Sequence, residues 1–172
     1  MSFFLEGELE LTARALGFVV GEKFTLVEDD WVGAEQGKSL QARIGLIADN
    51  RIKKELQCLL AVDVEVPEDR YALYDFSTGN VIFDIKTYSY TSITISKGEL
   101  DFAAEATQDY GFHMAYMIFK QEGLDPRHET LTFEGFISYK KLKDSSALRS
   151  SRFNYGSYID LRSRDYTSLL FS

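Results

Sequence analysis

The chain is poor in the residues that usually announce chemistry. Of its 172 residues one is cysteine, two are histidine, two are proline and one is tryptophan. A lone thiol, Cys58, cannot close an internal disulfide, so the fold must rest on a core and suits a reducing compartment. On a strand Cys58 would face the core, a small buried hydrophobe rather than a reactive thiol. His113 sits in an apolar, aromatic run and reads as a core or edge histidine, whereas His128 lies in a polar loop. No His–His, Cys–His or His–carboxylate spacing suggests zinc, and no D-x-D-x-D-G loop suggests calcium. G-x-S-x-G, G-x-G-x-x-G and P-loop patterns are missing as well. No apolar run approaches the ~20 residues of a membrane helix. The start, MSFFLEGELE, has acids at positions 6, 8 and 10 and no basic flank, so it does not read as a secretory signal.

Positive charge is also scarce. Lys and Arg number 19 against 27 Asp and Glu, a net charge of −8. That excludes phosphate binding by the surface as a whole. The expectation from these absences is a non-enzyme with no catalytic, cofactor-binding or metal-ligating residue and no cofactor. It would bind neither specific nucleic acid nor membrane, and would be cytoplasmic when synthesised.

What the chain does have is enough apolar material for one core, 45% of residues, with ten Tyr and thirteen Phe. Aromatics at this level go with sheet. The stretch over residues 39–66 dominates the reading. Leu40, Ala42, Ile44 and Leu46 alternate with polar neighbours, as do Leu56, Cys58, Leu60, Val62, Val64 and Val66. Period-2 alternation predicts strands, and Asp49-Asn50 between them is turn chemistry, so a long central hairpin is expected. Ile52, Leu56, Leu59 and Leu60 also fit a helical stripe, which would instead make residues 51–60 a short helix feeding a strand.

Residues 3–16 carry both signals too, Leu9, Leu11, Ala13 and Ala15 alternating while Leu5, Leu9, Thr12 and Leu16 form a stripe; strand is expected. Further strands are expected over residues 23–28, 71–76, 81–87 and 91–95. Ser77-Thr78-Gly79-Asn80 is the turn of a second hairpin. Ser96-Lys97-Gly98-Glu99 is a capping-box pattern opening a helix over residues 97–108. Gly111 then breaks the chain before an expected strand with aromatics on both parities, which suits burial on both faces, while Met114, Met117, Ile118 and Gln121 would also fit a helix ending at Gly123. Residues 131–139 give another strand with Gly135 as a bulge. Trp31, beside Glu28, Asp29 and Asp30, is expected over the edge of its own core, with the three acids on a solvated surface.

From Lys140 onward the character changes. Residues 140–172 hold seven Lys or Arg against three Asp or Glu, with eight Ser. The chain therefore divides into a β-rich acidic body, residues 1–142, and a basic Ser/aromatic C-terminal arm, residues 143–172. Arg149, Arg152, Phe153, Tyr155, Tyr158, Arg162, Arg164, Leu169, Leu170 and Phe171 are the expected interface residues, because aromatic and Arg side chains tend to carry interface energy. The fold class expected is α+β, mostly β: a β-sandwich or barrel of about eight strands with the long central hairpin and one packed helix. The function that suits this pattern is a non-catalytic structural subunit of a homo-oligomeric assembly. A viral or bacteriophage particle component such as a tail-tube-like protein is the type, with copies of itself and other assembly proteins as partners. Two alternatives stand beside it: a β-barrel binder of a small apolar ligand, and an enzyme with a carboxylate-based site.

Overall fold

Helix α1, Ser2–Ala15, stands where a strand was expected over residues 3–16. The helical stripe prevails because it can be buried: Leu9, Ala13 and Leu16 are each 1% exposed, whereas Leu11 stands in solvent. The same competition decides the central stretch. A computed structural model, which describes residues 2–31, 40–58, 63–68, 72–123, 129–151 and 156–172, has helix α2 over Leu40–Gln57 where the first arm of the hairpin, its turn and part of the second arm were expected. Ile47, Ala48, Ile52 and Leu56 recur at helical spacing and are completely buried. Asp49 and Asn50 therefore lie within the helix. Arg51 and Glu55 form an i,i+4 ion pair at 2.9 Å along its outer side. Cys58, at the end of α2, is exposed instead of facing the core. Leu60 and Val62 lie outside the described residues. Val64 packs on the core, and Glu65 makes an isolated bridge with Ser77.

Around these helices runs an α+β fold. Strand β1, Lys23–Thr25, precedes a 3-10 turn over Glu28–Trp31. Strand β2, Phe76–Thr78, and strand β3, Val81–Tyr88, form the second hairpin about Gly79-Asn80. Of the strand expected over residues 71–76, Tyr71 lies outside the described residues and only Phe76 is in β2. Strand β4, Ser92–Ile95, leads into helix α3, Lys97–Gln108, whose capping box is formed in both directions between Ser96 and Glu99. Gly111, at φ +71°, turns the chain into strand β5, His113–Glu122. Strand β6, Thr130–Ser138, follows, then helix α4, Tyr139–Lys143. The last residues supply strand β7, Leu148–Ser150, strand β8, Ser157–Asp160, and helix α5, Arg164–Leu169. Among the described residues there are thus five α-helices where one was expected.

The strands make two sheets. The larger is mixed, in the order β1-β6-β5-β3-β2, and the smaller is β4-β8-β7. β3 and β5 are parallel, joined by the crossover through β4 and α3, and every other pairing is antiparallel. A parallel pair needs such a crossover, and the elements in it cover the sheet face, so both faces of β3 and β5 are buried. On one face Phe83, Ile85, Ala115, Met117 and Phe119 pack with the apolar sides of α1 and α2. On the other, Ile82, Met114, Tyr116 and Ile118 pack with Ala103 and Ala106 of α3, Ile93 and Ile95 of β4 and Ile159 of β8. The register of β5 against β6 shifts between Ile118 and Phe119, opposite Gly135. Gly135 adopts φ +131°, and a Cβ there would stand 2.9 Å from the carbonyl oxygen of Phe171. The expected bulge is therefore real, and the chain end lies against it.

Candidate active site at the open edge of strand β3

β2 is too short to cover its partner. It pairs only with Val81–Phe83, while β3 continues to Tyr88. Among the described residues no strand pairs with the far half of that edge. Asp75, just before β2, fills part of the gap. Its amide donates to the Phe83 carbonyl at 3.0 Å, and its carboxylate oxygen Oδ2 accepts the Ile85 amide proton at 2.7 Å. Beside the edge lies a cavity of about 620 Å³, walled by α2, the segment before β2, β3, β4 and the start of α3. That is within the size range of ligand sites, about 300–1,000 Å³.

Four carboxylates line it: Asp49 of α2, Asp75, Asp84 of β3 and Glu99 of α3. Lys86 is two residues beyond Asp84, and strand periodicity puts both on one face. Lys86 Nζ lies 3.1 Å from Asp84 Oδ2 and hydrogen-bonds Glu99 Oε2. On α2, Lys53 is four residues beyond Asp49 and reaches Asp75 Oδ1 at 3.6 Å. Four carboxyl groups thus face two ammonium groups. Asp84 is 6% exposed, and its Oδ2 faces Lys86.

The electrostatics follow from this crowding. Loss of water pushes the Asp49 carboxyl well above the usual Asp range, and Asp75 pushes it further while Lys53 opposes. Burial also raises Asp84, with Lys86 opposing and Asp75 adding. Burial works against the charge of Lys86, but Asp84 and Glu99 outweigh it and hold the ammonium above the ordinary lysine range. For Glu99 burial is outweighed by Lys86, and the carboxyl sits below its ordinary value. Tyr116, opposite Asp84 on β5, is buried with its hydroxyl unpaired, and burial next to these anions raises it strongly. Like charges held together, short of counter-charge and away from water, are the condition in which a bound cation is favourable. Among the described residues no group of three or more His, Cys, Asp or Glu side chains is placed to hold a metal ion. Mg²⁺ does not need one, since it is usually held by one or two carboxylates with water and substrate phosphate.

None of the interface residues expected from the sequence lines this cavity. Arg149 and Arg162 both reach Asp160, at 3.2 and 3.4 Å. Tyr158 is in β8, paired with β4 and β7. Leu169 and Leu170 pack on the second core, and Phe171 stacks on Phe136 with ring centres 5.6 Å apart. Arg164 is exposed at the start of α5, and Arg152, Phe153 and Tyr155 lie outside the described residues. His128 lies outside them too. His113 is buried, its Nε2 3.3 Å from Glu8 of α1. Of the acids at 28–30, Glu28 and Asp29 are exposed but Asp30 is fully buried, against the solvated surface expected. It accepts from the Val27 amide and from Lys54, each at 2.9 Å, and stands 3.5 Å from Arg51, pinning the 3-10 turn to α2. Trp31 is partly buried against the first core, as expected.

The signal for the site lay in β3 itself. Val81, Phe83, Ile85 and Thr87 share one parity of the strand, and the opposite parity holds Ile82, Asp84 and Lys86. An acid and a base on the covered side of a central strand are rarely there without a partner or a purpose. No protein-family model and no curated protein sequence matches this chain, so the site rests on its own geometry.

Proposed function

We propose that the protein is a divalent-cation-dependent hydrolase of phosphodiesters, with a nucleic acid strand as substrate. The observation that carries this reading is the meeting of Asp75, Asp84 and Lys86 at an open strand edge, in a cavity where carboxyl groups outnumber ammonium groups. A Mg²⁺ or Mn²⁺ ion would be held by Asp75 and Asp84, and when bound it would lower the pKa of a coordinated water and neutralise phosphate charge. Asp49 faces the same space from α2 and can accept hydrogen bonds from water. Lys86 presents a fixed cation beside Asp84, placed to hold a phosphate oxygen as negative charge develops. Asp75, bonded to the Ile85 amide, is locked to the strand that carries the other two. The set is therefore rigid before substrate arrives.

The choice of a nucleic acid rests on the mouth of the cavity. Tyr88 and Tyr90 line it, and Tyr90 is 83% exposed. Aromatic faces at the rim of a phosphate site are where bases stack. A chain of net charge −8 cannot hold a polyanion by its surface at large, so binding must be local, through the cation and Lys86. The test is cleavage of a fluorescently quenched oligonucleotide with and without MgCl₂ or MnCl₂. Cleavage that needs the cation and disappears in Asp84→Asn is the expected result. Cation-independent cleavage, or none with any cation, would overturn the reading.

The particle-subunit and apolar-ligand readings gain no observation of their own. The described tail residues spend most of their charge and apolar area on their own chain, and the cavity is acidic.

A further inference from the structure

Lys86 is fixed by a group to which the proposed chemistry gives no part. We propose that Glu99 is the positioning residue for Lys86, an inference that rests on the hydrolase reading above. Both oxygens of Glu99 are occupied. Oε1 accepts the Ser96 amide proton at 3.1 Å, closing the capping box of α3. Oε2 accepts from Lys86 Nζ. The Glu99 amide in turn donates to Ser96 Oγ at 3.1 Å. The carboxylate is thereby clamped to a helix end, and the helix end is clamped to the sheet, because α3 is part of the crossover between β3 and β5.

A lysine needs such a clamp. Its ammonium is a compact charge on a flexible stem with three rotatable donors. Asp84 also holds the ammonium, its Oδ2 3.1 Å away. Asp84 is also the group that the proposed cation would engage, so it cannot be the fixed support. Glu99 takes one donor of the ammonium from the helix side. The remaining charged and titratable groups around Lys86 are Asp75 and Asp49 across the cavity and Tyr116 on β5. None of them shows a hydrogen bond to its Nζ, so Glu99 is the one support of Lys86 that the proposed cation would leave in place.

Glu99→Gln separates the two duties of the residue. Glutamine serves the same position of a capping box, so the helix start is kept while the charge is lost. The experiment uses the full chain and a quenched single-stranded DNA oligonucleotide with MnCl₂. The expected result is a thermal midpoint close to wild type, a kcat reduced about tenfold or more, and little change in KM or in Mn²⁺ affinity. In a Lys86→Ala background the same substitution should have no further effect, because residues that act through one another are not additive. A second readout does not depend on turnover. In protein labelled with ¹⁵N-lysine, the side-chain ammonium of Lys86 should give a resolved signal in wild type that is lost in Glu99→Gln. Unchanged kcat with an unchanged ammonium signal would overturn the inference, as would losses that add fully in the double variant. A wild type that cleaves nothing but loses the ammonium signal on Glu99→Gln would uphold the clamp and sink the hydrolase reading instead.

Discussion

Asp75 and Ile85 are joined by a hydrogen bond of 2.7 Å in which a carboxylate oxygen stands where a neighbouring strand would offer a carbonyl. The bond ties the acid to the edge of β3, beside Asp84 and Lys86. Removing it affects both the sheet and the site, so Asp75 is a poor residue with which to separate them. Asp84, Asp49, Asp30 and the chain end allow cleaner tests.

Asp84 should report the cation directly. Adding MgCl₂ or MnCl₂ at a hundredfold excess over Kd should stabilise the wild type by about 2.7 kcal/mol. For a chain of this length that is a rise in thermal midpoint of about 5–10 °C. Asp84→Asn should lose that rise, and Lys86→Ala should keep it while losing cleavage by about 100-fold or more. An equal rise in the Asp84 variant would place the cation elsewhere.

Asp49 gives a prediction of opposite sign for stability. Its carboxyl titrates above the ordinary Asp value in the folded protein, first from burial and then from Asp75. Between the ordinary value, near 3.9, and the raised one, the folded state holds a proton that the unfolded chain has released. Stability without cation should therefore fall as pH rises through that window, and stay low above it. Asp49→Asn should remove the slope and raise the midpoint at neutral pH, while lowering cleavage. Denaturant titrations from about pH 4 to pH 8 would check it. A variant no more stable than wild type at neutral pH would mean that the carboxyl is better compensated than its surroundings indicate.

Asp30 should matter to the fold alone. Asp30→Ala strips the Val27 amide, Lys54 and Arg51 of a shared partner. Lys54 is half-exposed and can turn to water, so the expected cost is about 2–3 kcal/mol rather than that of a fully stranded charge. Cation-dependent cleavage should persist below the new midpoint. A cost under ~0.5 kcal/mol would show that the 3-10 turn is held by packing instead.

The chain end tests the assembly expectation. β8 pairs with both β4 and β7, Ile159 is completely buried, and Phe171 bridges Phe136. Deleting residues 143–172 should therefore unfold the second core, visible as lost near-ultraviolet circular dichroism. Gly135→Ala is the milder probe. Its Cβ would meet the Phe171 carbonyl at 2.9 Å on a backbone that disfavours side chains, at a cost of about 1–3 kcal/mol. A truncated chain that stays folded and monomeric, beside a full chain that assembles, would return the tail to its expected role as an arm.

How much of this was legible depended on whether the signal was local. The capping box at Ser96 and Glu99, the break at Gly111, β5 and the bulge at Gly135 were all readable, because each rests on residues adjacent in the chain. α1 and α2 were not. In both, apolar residues satisfy two periods at once, and only the burial of Leu9, Ala13 and Leu16, or of Ile47, Ile52 and Leu56, decides between them. The alternation that seemed to run to Val66 joins two segments, the end of a helix and the stretch bridged at Glu65. For the site, Asp84 and Lys86 were visible as charges inside a strand, and Asp75 as an acid next to a hairpin turn. That Asp49 and Glu99 join them depends on two helices arriving from opposite sides of the sheet, which no local pattern records.

The shortness of β2 has one more consequence. A strand edge with free amides and carbonyls invites another chain to add to it, and proteins commonly guard such edges with inward-pointing charge. Here Asp75, Asp84 and Lys86 stand along the uncovered half of β3. The charges proposed for catalysis are therefore also gatekeepers against aggregation. Variants that neutralise two of them together, such as Asp84→Ala with Lys86→Ala, should be measured by light scattering as well as by turnover, because they unveil a sticky seam on the molecule.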